Sequence, residues 1–177
     1  MLKIAVTGPE STGKSWLASN LADHYRTVCV PEYAREYLQH LGRDYHQDDL
    51  LQIARGQLAA HRQGIARARQ LVFFDTDFLV LKIWCQHRFQ EVPGMILDTL
   101  ENREVDLYLL CNIDLPWEYD PQREHPHLRP FFFDWYRREL ENYGVPYLVI
   151  SGQGAQRLQA AISGVDQFIH NTQNNHV

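Results

Sequence analysis

The chain has 177 residues, 45% hydrophobic and 22% charged, and its 17 Lys and Arg against 22 Asp and Glu leave a formal net charge of −5. That length predicts one domain, residues 1–170, followed by a polar tail at 171–177. Dispersed basic residues argue against nucleic acid as the main partner, no apolar run reaches the ~18 residues of a membrane span, and the chain enters a strand-like run at once with no signal peptide, so a cytoplasmic protein is expected.

The first predicted element is the β-rich run at residues 2–7. Directly after it comes Gly8-Pro9-Glu10-Ser11-Thr12-Gly13-Lys14-Ser15, a G-x-x-x-x-G-K-S pattern, and from Trp16 the chain continues as a helix to about Tyr25. Strand, glycine loop and helix is the order a phosphate-binding loop requires. Gly8 and Gly13 let the backbone turn and approach a ligand, and the loop N–H groups and helix N-terminus then converge on phosphate oxygens. Lys14 is placed for the β- and γ-phosphates, and the Ser15 hydroxyl for Mg²⁺. Residues 8–16 are therefore the predicted nucleotide contacts.

Residues 27–30 read as a second strand, ended by Pro31, and residues 32–38 as a helix with Gly42 as its stop. A long helix is predicted from about Gln47 to Arg69, with Gly56 and Gly64 marking a bend. Residues 71–74 form an apolar run ending at Asp75, as in a strand buried on both faces. Helices at 76–89 and 95–103 lead to a fourth strand at 107–111. The polar, proline-bearing segment 114–129 is long for a connection and reads as a lid. A helix at 131–142, a strand at 145–150 and a helix at about 154–169 complete the chain. Cys29, Cys85 and Cys111 have no metal spacing and read as buried free thiols, and two histidines, His125 and His127, do not make a metal site without a third ligand.

Strands alternating with helices predict an α/β fold: a P-loop NTPase three-layer sandwich, its five-stranded parallel sheet covered by helices on both faces. Ligands in such sheets bind at the carboxyl ends of the strands, so the polar residues there carry the expectations. Glu32 follows the second strand and fits contact with an acceptor hydroxyl, or a helix first-turn acid. Asp75 fits a Walker-B-type metal-side acid, or a helix N-cap. Arg35 is placed to neutralise phosphate charge or to pin Glu32, and Asp77 to meet substrate hydroxyls or to serve as a first-turn acid. Tyr33 is the best aromatic candidate for stacking on a substrate ring, ahead of Trp84, Trp117 and Trp135. Arg123 and Arg129 in the lid would offset charge on a transferring phosphate.

Together these motifs resemble the ribosylnicotinamide kinase domain of NadR-like proteins, which is fused there to an adenylyltransferase. The matching stretches are G-P-E-S-T-G-K-S at 8–15, E-Y-A-R-E at 32–36, F-D-T-D-F at 74–78, L-P-W-E-Y-D-P-Q-R at 115–123 and V-P-Y-L-V-I at 145–150. The resemblance implies a nucleoside-kinase-like fold with a lid and transfer of phosphate from ATP, with Mg²⁺, to the 5′-hydroxyl of ribosylnicotinamide. It also implies Lys14 and Ser15 at phosphate and Mg²⁺, Glu32 and Asp75 as the acids, Asp77 and Tyr33 facing the nucleoside, and Ser151 and Gly152 near adenine. The chain departs from the fused members in two ways: it contains no H-x-G-H tetrad, and Pro31 stands where they can carry an aromatic. Another small-molecule acceptor, or a non-catalytic ATP-binding module, stays open as an alternative.

Overall fold

The computed structural model describes residues 1–174. Five strands, β1 (Leu2–Thr7), β2 (Val28–Val30), β3 (Leu71–Asp75), β4 (Leu107–Cys111) and β5 (Tyr147–Ile150), form one parallel sheet in the order β2-β3-β1-β4-β5. Between and after them run α1 (Lys14–Tyr25), α2 (Tyr33–Leu41), α3 (Gln47–Arg67), α4 (Phe78–Phe89), α5 (Gly94–Glu101), α6 (Arg129–Tyr143) and α7 (Gly154–Asn174). This is the α/β sheet with helices on both faces that the strand–helix alternation predicts.

Alternation along each strand divides the core in two. Ala5, Val72, Phe74, Tyr108 and Leu110 join a cluster with Leu50, Ile53, Leu79, Ile83 and Leu140 under α3, α4 and α6. Ile4, Val6, Phe73, Leu107 and Leu109 join Leu17, Leu21, Ala161 and Val165 under α1 and α7. The register sets Val6 opposite Asp75 and Thr7 opposite Leu110, so the carboxyl ends of the central strands share one edge.

Two expectations need correcting. Gly56 and Gly64 do not interrupt α3, which runs unbroken from Gln47 to Arg67. They are close-approach positions instead: a Cβ on Gly56 would lie 2.1 Å from the Tyr33 ring, and one on Gly64 would lie 2.2 Å from a Val30 methyl. The last helix also runs past residue 169 to Asn174, because Phe168 and Ile169 still pack on the α1 side of the core. Of the expected tail, residues 175–177 lie outside the described residues. No helix among the described residues is long and apolar enough to cross a membrane.

Candidate active site

The loop between β1 and α1 has its carbonyls tied down by side-chain donors. Ser11 and Gly13 adopt left-handed backbone at φ 55 and 74, and Gly8 sits at φ 132 with no room for a Cβ, which would lie 3.0 Å from the Cys111 carbonyl. The Pro9 carbonyl accepts from Thr12 Oγ1 and from Lys14 Nζ, both at 2.8 Å. The Thr12 carbonyl accepts from Arg157 Nη2 at 2.9 Å, and the Ser11 carbonyl from Arg129 at 3.2 Å. The first intrahelical bond of α1 runs from Leu17 N–H to the Gly13 carbonyl, so the N–H groups of Lys14, Ser15 and Trp16 have no partner within the helix. That is an anion-binding arrangement.

Residues 8–16 all line a cavity of about 530 Å³. Beside the loop lies Asp75, buried at the end of β3 with its side chain on the α1 side of the sheet, since it shares the alternation of Phe73. Burial raises its carboxyl above the ordinary carboxylate value, and the nearby Ser15 hydroxyl and the charges of Lys14 and Arg35 only partly offset that. Asp75 Oδ1 has no hydrogen-bond partner among the described residues. An orphaned carboxylate oxygen next to a hydroxyl is a donor set that suits Mg²⁺.

Across the cavity stands Glu32, half-buried at the N-cap of α2, with no capping bond from its side chain. Burial also raises this carboxyl, against the pull of Lys14. Gln57 on α3, buried, accepts from Tyr33 N–H at 2.8 Å and donates to the Pro31 carbonyl, and so holds the turn that presents Glu32. Beyond Glu32 the wall is Leu38, Val80, Ile83, Trp84, His87, Phe132 and Tyr136. Tyr136 is buried, and its phenol is pushed well above the ordinary value, first by burial and then by nearby Asp77, Glu32 and Glu10.

The segment between β4 and α6 covers the cavity and is fastened to the phosphate loop. The Glu10 carboxylate accepts from the backbone N–H of Glu124 at 3.1 Å and of His125 at 3.2 Å, and Ser11 Oγ accepts from Glu118 N–H at 2.9 Å. Arg123 lines the cavity and donates to the Glu118 carbonyl at 2.6 Å. Arg35, also on the cavity, pairs with Asp120 of this segment at 2.9 Å rather than with Glu32.

Five expected residues sit elsewhere. Tyr33 turns its ring onto Gly56 and beside Tyr37, away from the cavity lining. Asp77 is buried as the N-cap of α4: it accepts from Leu79 N–H at 3.2 Å and from the Tyr108 hydroxyl at 2.6 Å. Thr76 between the two acids has φ 68, which swings Asp77 to the opposite face from Asp75. Arg129 opens α6, lies over the Trp117 ring and gives its guanidinium to the Ser11 and Leu115 carbonyls. Ser151 accepts from Asn112, and Gly152 N–H donates to Asp114, so at that end Gly154 and Arg157 line the cavity instead.

Apart from Trp84, a lesser stacking candidate in the sequence, the aromatic wall and Arg157 were missed. A sequence signal existed for the wall: Val80, Ile83, Trp84 and His87 recur at helical spacing, as do Phe132 and Tyr136, but such stripes read equally as core.

The sequence profile of the AAA domain family matches residues 3–157. The trifunctional NAD biosynthesis/regulator protein NadR of Escherichia coli is 30% identical over 124 residues, which cover 68% of this chain and 30% of that protein. NadR of Salmonella typhimurium matches to the same extent, so the chain spans under a third of the length of these curated relatives. Among solved structures, NadR in complex with NR superposes with a TM-score of 0.81 at 24% identity, covering 94% of this chain and 49% of that one. Thymidylate kinase from Candida albicans superposes at 0.68 and 14% identity, covering 96% and 92%. At these identities the likeness to the solved structures is one of fold, that of the P-loop nucleoside and nucleotide kinases.

Proposed function

The chain belongs to the AAA domain family, and from that premise we propose that it is an ATP-dependent nucleoside kinase whose acceptor is the 5′-hydroxyl of ribosylnicotinamide. One observation carries the reading. A single cavity has a phosphate loop on one side and, on the other, an uncommitted carboxylate backed by an aromatic wall. A switch protein has no use for the second half.

In this reading Lys14 leaves the Pro9 carbonyl for the donor phosphates while Thr12 Oγ1 keeps that carbonyl paired. Glu32 orients the acceptor hydroxyl and takes its proton as the oxygen–phosphorus bond forms and the β–γ bridge breaks, releasing ADP. Its raised pKa makes it a stronger base than an exposed carboxylate. Arg123 exchanges the Glu118 carbonyl for the transferring phosphoryl group. Ser15 and Asp75 would hold Mg²⁺, which when bound supplies positive charge to the donor phosphates. The pyridinium ring of ribosylnicotinamide is a cation, which suits a wall built from Trp84, Phe132 and Tyr136 with Glu10 and Glu124 on the same cavity. The similarity to NadR, solved with NR, supports the same acceptor.

The test is purified protein with Mg·ATP against a panel of nucleosides, following ADP release and product mass. Ribosylnicotinamide is expected to give the highest turnover and the mass of its monophosphate, with Lys14→Ala silent. Preference for another nucleoside would replace the acceptor. No acceptor-dependent ADP at all would remove the kinase.

A further inference from the structure

Arg157 is a cation in an expensive place. Its side chain is 1% exposed, it lies in the first turn of α7 where the helix dipole opposes positive charge, and its Nε–H has no partner among the described residues. A purely structural site of that shape is met more cheaply by an apolar side chain.

Its contacts explain the placement. Nη1 pairs with Asp114 Oδ1 at 2.7 Å and reaches the Gly152 carbonyl at 3.0 Å, while Nη2 reaches the Thr12 carbonyl at 2.9 Å and the Asn112 carbonyl at 3.2 Å. Asp114 in turn accepts from Gly152 N–H at 2.6 Å. One guanidinium therefore joins the phosphate loop, the segment after β4 where the lid begins, and the turn after β5. Within the phosphate loop, Thr12 lies between the two left-handed residues, Ser11 and Gly13. A loop that aims its N–H groups at phosphate must aim carbonyls the other way, and each then needs a donor. Pro9 finds two donors close in the loop, whereas Thr12 finds Arg157.

We infer that Arg157 is a positioning residue for the donor: by fixing the Thr12 carbonyl, it keeps the phosphate loop in its anion-binding form before nucleotide arrives. The inference rests on the nucleotide-binding half of the proposed function and not on its acceptor.

The experiment measures equilibrium binding of ATP and of inorganic tripolyphosphate, without acceptor, to the wild type and to Arg157→Met, Arg157→Lys and Asp114→Asn, with thermal melting of each. Arg157→Met is expected to weaken both ligands by tenfold or more. Arg157→Lys should recover part of the loss, and Asp114→Asn should give the same pattern at smaller size. With acceptor present, KM for ATP should rise while KM for the acceptor stays. A lower Tm with unchanged affinities would make Arg157 structural only and overturn the inference. Weaker ATP with unchanged tripolyphosphate would move its action to the base and overturn it as well. If the Met variant does not fold, the Lys and Asn variants decide by the same two affinities. Failure of every nucleoside as acceptor would refute the kinase and leave this binding test intact.

Discussion

The two faces of the sheet are packed by different rules. Under α1 and α7 the core is mainly aliphatic, with Ile4, Val6, Leu17, Leu21, Leu107, Leu109 and Val165, and its buried charged groups, Asp75 and Arg157, sit beside the phosphate loop. Under α3, α4 and α6 the buried set also holds Gln57, His61, Asp77, Tyr108 and Tyr136. The first face supports a phosphate loop that any nucleotide-binding relative needs in the same shape. In the proposed function the second face supports the cavity wall that meets the acceptor, and buried polar groups there fix side chains that packing alone would leave free. Substitutions on the second face should therefore separate chemistry, packing and charge.

The largest effect is expected at Glu32. Glu32→Gln keeps the shape and removes the proposed base, so kcat should fall by about 10²- to 10⁴-fold with ATP affinity nearly unchanged. Steady-state kinetics with ATP and acceptor varied in turn check this. Turnover within a few-fold of wild type would leave Glu32 as a helix-end acid and return the polar face to a structural role.

Gly56→Ala comes next. In an exposed helix interior this change normally stabilises by about 1 kcal/mol. Here the new methyl meets the Tyr33 ring at 2.1 Å, so we expect a net loss of about 1–3 kcal/mol in denaturant unfolding. Tyr33 is bound through its N–H to Gln57 and follows Glu32 in the chain, so kcat should fall too. Stabilisation would show that the acceptor face is loosely packed.

These two positions also mark how much the sequence discloses. The strand–loop–helix at 2–25 and the acids ending β2 and β3 were legible, because their signals are local: a glycine pattern, and apolar runs that stop at a charge. The close approach at Gly56 was missed because its reason is a ring on another helix, which no local pattern shows. Tyr33 was misplaced by the same contact. Asp75 and Asp77 looked like partners on one edge. A single left-handed residue, Thr76, sends them to opposite faces, and β-branched threonine gives no warning of φ 68. Arg157 lay in an ordinary amphipathic helix, and its meaning depends on loops up to 145 residues away.

Asp77 offers an effect on stability no larger than that of Gly56→Ala, none expected on turnover, and a clear sign. Burial raises its carboxyl to about 6, against the pull of the Tyr108 hydroxyl and the backbone N–H groups of Leu79 and Val80. The folded state thus holds this proton more tightly than the unfolded chain. The stability it contributes is full below the ordinary carboxylate value and is lost as pH rises through about 6. Buried His61 acts in the opposite sense: burial lowers it to about 4, so its contribution is lost as pH falls from the ordinary histidine value through about 4. Asp77→Asn can still cap Leu79 and meet Tyr108, but it carries no charge to bury. It should therefore stabilise the protein by about 1–3 kcal/mol at pH 8 and change little at pH 4, read by unfolding at the two pH values. Acceptor KM should stay, since the carboxylate faces Tyr108 and not the cavity. A rise in acceptor KM without the pH-dependent gain would put Asp77 back among the substrate contacts and blur the division between the wall of the site and the core behind it.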